Sequence, residues 1–153
     1  LSTEPASSAH ASVLRIAGAR NVADVKAVSG RGMSPVSLEQ VLNWNPEVII
    51  AWEDYRGGAH GKIKSDPDWA SIRAVKDGRV YSMPNTPFSW IDRPPSVNRF
   101  LGIQWIASLL YPEAYDIDFR AAAREFYELF YAVKLTDEQL DDLLKNAVSA
   151  PKR

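Results

Sequence analysis

Phe88, Trp90, Asp92 and Arg93 fall close together in the segment PFSWIDRPP, which joins two aromatic faces, a carboxylate and a guanidinium. A guanidinium presents planar donors that match carboxylates, catecholates and oxyanions, and aromatic rings give large contact area at small rotamer cost. That chemistry holds a ligand. No nucleophile–base motif, phosphate loop or pair of metal ligands at helical spacing accompanies it, so no catalytic residue and no metal site is assigned. An enzyme using Asp92, Arg93, Tyr55 and His10 is therefore the weaker reading. A surface carbohydrate-binding or adhesion module, with Trp90 and Trp52 exposed and coplanar, is another. The segment also has a purely structural reading as a packed corner, with Trp90 and Phe88 against the Pro94–Pro95 turn and Arg93 paired with Asp92.

The elements that must position this lip read clearly. A strand over Val80–Met83 ends at Pro84 and feeds it, and a long apolar helix over Pro94–Leu110 follows. Proline is tolerated in a first helical turn because those amides have no intrahelical acceptor, so Asp92 or Arg93 is expected as the cap. Upstream, Ser37 and Gln40 form a capping box with a Val36–Val41 staple, starting a helix that runs to Trp44. Glu47–Trp52 is then a β-branched run that reads as a strand buried on both faces, of the parallel type. Open α/β sheets bind ligands beyond strand C-termini, so Trp52 and Tyr55, in and before a glycine-rich loop, share the lip's rim if the strands are parallel. His10 and His60 each lack a paired ligand and are weak metal candidates.

Elsewhere the chain gives a short helix over His10–Ala17 capped by Ser7 or Ser8, then an irregular stretch to Pro35. Asp66 caps a short helix over Trp69–Ile72, and amphipathic helices cover Asp118–Val133 and, from a Thr136–Gln139 capping box, Thr136–Val148. Trp44, Trp69 and Trp105 are expected in the core, and Arg124 and Glu128 on a solvated face. The fold class is α/β, a small mostly parallel sheet with helices on both faces. Two strands make a poor sheet, so a neighbouring strand from outside this sequence is expected.

At 153 residues and 46% hydrophobic the chain suits one domain, taken as 1–150 with a frayed 151–153 tail. Net charge of −1 gives no basic stripe for nucleic acid, and without cysteine there are no disulfides or thiolate sites. No apolar run approaches the roughly 20 residues that span a bilayer. The first residue is Leu1 rather than Met, as expected of a mature or trimmed fragment.

The strings VSLEQVLNWNPEVIIAW, DPDWASIRAVKDGRVYSMP, PFSWIDRPPSVNRFLGIQWIASLLYPE and the EFYELFY and LTDEQLDDLL ending occur in an order that resembles the C-terminal lobe of a periplasmic substrate-binding protein. The type is that of ABC importers of iron-siderophores, haem, vitamin B12 and oxyanions such as molybdate. The opening LSTEPASSAHASVLRIAGARNVAD resembles the start of that lobe. The resemblance implies one lobe of a bilobal solute-binding protein, periplasmic or extracytoplasmic, with or without a lipid anchor, and monomeric when intact. It implies no resident cofactor; the bound group would be a small molecule or metal chelate such as an iron-siderophore, haem or corrinoid. It places Arg93, Trp90, Phe88, Tyr55, Trp52 and His10 toward an inter-lobe cleft. It assigns Glu39 to docking on arginines of the membrane permease, although the helix dipole alone favours a carboxylate there.

Overall fold

The computed structural model describes residues 1–28, 32–91 and 94–148. In chain order the helices are α1 (Ser12–Ile16), α2 (Leu38–Trp44), α3 (His60–Ser65), α4 (Arg73–Lys76), α5 (Asn98–Leu110), α6 (Phe119–Tyr131) and α7 (Asp137–Leu144). The strands are β1 (Ser2–Thr3), β2 (Ser34–Pro35), β3 (Ile49–Ala51) and β4 (Val80–Ser82). The fold is thus mixed α/β. The chain divides into two compact units, one of Leu1–Ser12 with Arg20–Met83 and the other of Val13–Ala19 with Pro84–Arg153.

In the first unit β3 and β4 pair in parallel, Ile49 opposite Val80 and Ala51 opposite Ser82, as the β-branched run predicts. β1 and β2 pair antiparallel, so among the described residues one of the two sheets is parallel and one is not. β4 is buried throughout, whereas β3 is only half-buried and shorter than the expected Glu47–Trp52. A strand with one partner keeps an open edge, and β3 has only β4 beside it among the described residues. The core here is Ile63, Trp69, Ile72, Ala74 and Val80, with Leu38, Val41 and Ile49 packed against it. Trp44 was expected in that core and is half-buried instead, because it closes the last turn of α2 between exposed Asn43 and Asn45.

The capping chemistry behaves as the sequence predicts. Ser37 Oγ accepts from Gln40 N at 3.1 Å while Gln40 Oε1 accepts from Ser37 N at 2.9 Å, serving two amides that have no intrahelical acceptor. Asp66 Oδ1 accepts from Asp68 N at 3.0 Å, but the turn it starts is a 3-10 helix over Pro67–Trp69, ahead of the Trp69–Ile72 span. The first helix is likewise split, into a 3-10 turn over Ala9–Ala11 and α1.

In the second unit the long helix starts at Asn98, four residues later than expected from the prolines. Pro95 disfavours helical backbone at Pro94, and Ser96 supplies the local acceptor, its Oγ 3.3 Å from Asn98 N. Asp92 and Arg93, the expected caps, lie outside the described residues. Leu101, Trp105, Ile106 and Leu109 of α5 are buried, as is Leu140 of α7. Trp105 Nε1 donates to Ala147 O at 2.6 Å, tying the segment after α7 to this core. Asp118 caps α6 through Arg120 N and Ala121 N, and Thr136 caps α7 with its box to Gln139. On the outer surface Arg120 bonds Asp137 and Asp141, and Arg124 bonds Asp137, so part of the predicted solvated face of α6 is an exposed ion-pair network with α7.

Candidate functional site

The lip is irregular backbone from Asn85 to Ile91, described within the second unit. Such a loop has no ladder to fix it, and its carbonyls need partners from elsewhere. One partner comes from α6 and another from a buried residue of α5. Tyr127 Oη donates to Thr86 O, and Trp90 Nε1 donates to Tyr127 Oη at 3.5 Å. Asn98 Nδ2 donates to Phe88 O at 2.8 Å, and Tyr131 Oη donates to Asn98 Oδ1 at 2.6 Å. Asn98 is 0% exposed, so both halves of its amide are used. Trp90 N also donates back to Pro84 O at 3.1 Å, and Ser89 Oγ accepts from Ile91 N at 3.1 Å.

Electrostatics follow from this burial. Desolvation pushes the Tyr127 phenol up to about 12, with the Trp90 bond acting in the opposite direction. Burial raises the Tyr131 phenol as well. Both hydroxyls stay protonated, and able to donate, throughout the neutral range.

Within the lip, the two expected aromatics part company. Phe88 is exposed with its ring available to a ligand. Trp90 is 0% exposed and stands edge-on to Trp105, centroids 6.0 Å apart at 83°. Its ring packs inside the unit, an arrangement that leaves no face for stacking on a ligand. Of the two readings the sequence leaves open for Trp90, ligand wall and packed corner, its buried indole matches the packed one and anchors the loop from beneath. Arg93 lies outside the described residues.

In the first unit the loop after β3 carries Trp52 and Tyr55. Tyr55 is 83% exposed, while Trp52 is half-buried at the strand end with its carbonyl accepting from His60 N at 3.2 Å. That contact needs the glycine at 58, where a Cβ would fall 2.0 Å from Trp52 O. His60 is buried, with Nε2 3.4 Å from Val80 O and Nδ1 4.0 Å from Glu53 Oε2. His10 is half-buried in the 3-10 turn whose cap is Ser8, and Ser8 bonds Glu4. Glu39 is exposed in the first turn of α2. Trp52 and Tyr55 therefore share the loop after β3, while His10 and Glu39 stand on other elements of the unit. Among the described residues, no group of three His, Asp or Glu side chains is placed to hold a metal ion.

Sequence reading missed Tyr127, Tyr131 and Asn98, which hold the lip, and Gly102, where a Cβ would meet Trp90 O. The available signal was a polar residue in an otherwise apolar α5, together with two tyrosines at i and i+4 beside the apolar face of α6.

A family model described as "Periplasmic binding protein" matches residues 6–87. The chain belongs to that family. The Haemophilus influenzae molybdate-binding protein MolA is 39% identical over 116 residues, 75% of this chain and 32% of that protein. Among solved structures, an ABC transporter solute-binding protein from Sulfurospirillum deleyianum superposes with a TM-score of 0.84 at 38% identity, covering 95% of this chain and 44% of that one. The MolA structure bound to molybdate superposes with a TM-score of 0.70 at 34% identity, covering 89% and 40%. These periplasmic binding proteins are bilobal, and the chain spans less than half the length of each. Members of the family are solute-binding proteins, as the resemblance implied. Among the described residues no helix is long and apolar enough to cross a membrane.

Proposed function

We propose that the protein is the periplasmic solute receptor of an ABC importer, not an enzyme, and that its ligand is a tetrahedral oxyanion of the molybdate class. The observation that carries this reading is the 39% identity to a molybdate-binding protein over 75% of the chain. The chemistry of the lip agrees. A small dianion needs charge-assisted donors rather than a stacking surface, and Arg93 supplies five N–H donors in a fixed fork. The large aromatic that could have floored a haem or corrinoid, Trp90, is enclosed by its own unit. A ferric siderophore, haem or corrinoid is thus the second choice. In either case the bound group is cargo, and no resident cofactor is invoked.

In this reading Arg93 is the principal contact, and Phe88 offers an exposed aromatic face to the ligand. Tyr55, Trp52 and His10 of the first unit are separate, weaker candidates. The ligand is held against a second lobe of the full-length protein, and Glu39, exposed at the start of α2, docks on the permease. The intact receptor acts as a monomer.

Calorimetric titration of the full-length protein with molybdate, tungstate, sulfate, haem and a ferric catecholate tests the ligand class. Molybdate and tungstate should bind, and Arg93→Ala should weaken them by roughly 10- to 150-fold, the equivalent of about 1.5–3 kcal/mol for a hydrogen bond to a charged group. Binding of haem or the ferric catecholate with no response to either oxyanion would overturn the assignment.

A further inference from the structure

We propose that Tyr127 and Tyr131 are positioning residues for the ligand lip, fixing the backbone of Asn85–Ile91 from beneath without touching ligand. The proposal rests on the reading of that lip as a binding wall. Two carbonyls of the lip, at Thr86 and Phe88, are held by side chains from α5 and α6, while the Thr86 and Phe88 side chains are exposed. The backbone is therefore tied inward at Thr86 and Phe88 while those two side chains are exposed, and Ser89, Trp90 and Ile91 are buried beneath them. Tyr127 acts directly on Thr86 and accepts from Trp90, which locks the indole under the same loop. Tyr131 acts through Asn98, whose fully buried amide has one oxygen for Tyr131 and one nitrogen for Phe88. Residues one helical turn apart on α6 thus set two points of one loop, and two points fix its direction.

A helix is a better base for this than the loop itself, because side chains on regular elements hold position more closely than side chains on loops. α6 is capped at Asp118, and Phe119, Ala123 and Phe126 are buried on it. Removal of one hydroxyl frees a lip carbonyl or strands the buried amide oxygen of Asn98. The lip then samples more conformations, and each must be lost again on binding ligand. The effect is expected in ligand affinity and in local backbone opening, beyond the modest loss of global stability that one hydrogen bond carries.

The test uses the full-length protein with Tyr127→Phe, Tyr131→Phe and, as a control remote from the lip, Thr136→Ala, which removes only the cap of α7. Molybdate affinity is measured by calorimetry, lip opening by amide hydrogen exchange at Phe88–Ile91, and global stability by the thermal midpoint. Each Tyr→Phe variant should bind molybdate about tenfold more weakly, equivalent to about 1.4 kcal/mol, and exchange its lip amides about tenfold faster. Thr136→Ala should lower the thermal midpoint while leaving both lip readouts as in the wild type. Wild-type affinity and wild-type lip exchange in both tyrosine variants would overturn the proposal. An equal loss of affinity in Thr136→Ala would overturn it too, by assigning the effect to general stability. If the wild type itself fails to bind molybdate, the oxyanion reading falls and amide exchange decides the positioning claim alone: faster lip exchange in the tyrosine variants upholds it, unchanged exchange refutes it.

Discussion

Gly102→Ala would ordinarily be a stabilising change inside a helix, worth about 1 kcal/mol in propensity. In α5 it should do the reverse. A Cβ at Gly102 would sit 1.8 Å from Trp90 O, 2.8 Å from Trp90 C and 3.3 Å from Trp90 Cβ. Ordinary contact between such atoms begins at about 3.5 Å, so helix and lip must part by about 1.7 Å. The first obstacle is main chain and cannot rotate away. Trp90 is fully enclosed and set edge-on to Trp105, so the lip cannot recede inward. Moving it outward strains the Asn98–Phe88 and Tyr127–Thr86 hydrogen bonds, each worth about 0.5–1.5 kcal/mol net. With about 1–3 kcal/mol for overpacking, less the propensity gain of about 1 kcal/mol, the net loss falls within about 1–5 kcal/mol. Urea unfolding of the full-length protein should show a lower midpoint at unchanged slope. A variant as stable as the wild type, or more so, would refute the reasoning, because helix propensity would then have outweighed the clash.

Alkaline unfolding should expose the Tyr127 phenol. Its folded value of about 12 stands above the ordinary 10, so its stabilisation is complete below pH 10 and is lost as pH rises toward 12, by at most about 2–3 kcal/mol. Tyr127→Phe should flatten that part of the stability profile, and an identical decline in the variant would count against the assignment. Ser37→Ala removes one arm of the α2 capping box and should cost about 1 kcal/mol, seen as a lower thermal midpoint; no change would mean that Gln40 alone suffices. Glu39→Arg should abolish uptake in cells while calorimetric ligand affinity stays at the wild-type value; weakened binding would move Glu39 from docking to the ligand site.

Features encoded within a few residues were legible in the sequence. Ser37 with Gln40, Asp66 with Asp68, and Thr136 with Gln139 each satisfy their amides inside one helical turn, so the string of letters contains both partners. The parallel pairing of β3 with β4 was also readable, because a β-branched run ending in a loop carries that signature in its composition. Trp90 was not readable in this way. Whether its ring faces solvent or core is decided by Trp105 and Tyr127, which lie far along the chain on two other helices. The late start of α5 has a similar cause at shorter range: prolines at 94 and 95 permit a helix start, and the backbone restriction one imposes on the other, with the Ser96 acceptor, moves that start to Asn98. Asn98 itself reads as a minor polar interruption until Tyr131 and Phe88 are seen on either side of its amide.

The edge-on pairing of Trp90 and Trp105 has an optical consequence. Two indoles with centroids 6.0 Å apart and planes at 83° are close enough for their transition dipoles to couple. One belongs to the lip and the other to the helix beneath it, so the far-ultraviolet circular dichroism of the protein should contain an indole–indole contribution set by the spacing and angle between them. Any displacement of the lip, by a ligand or by a substitution, rewrites that signal without a label, and the molecule carries its own gauge of how far its lip has moved.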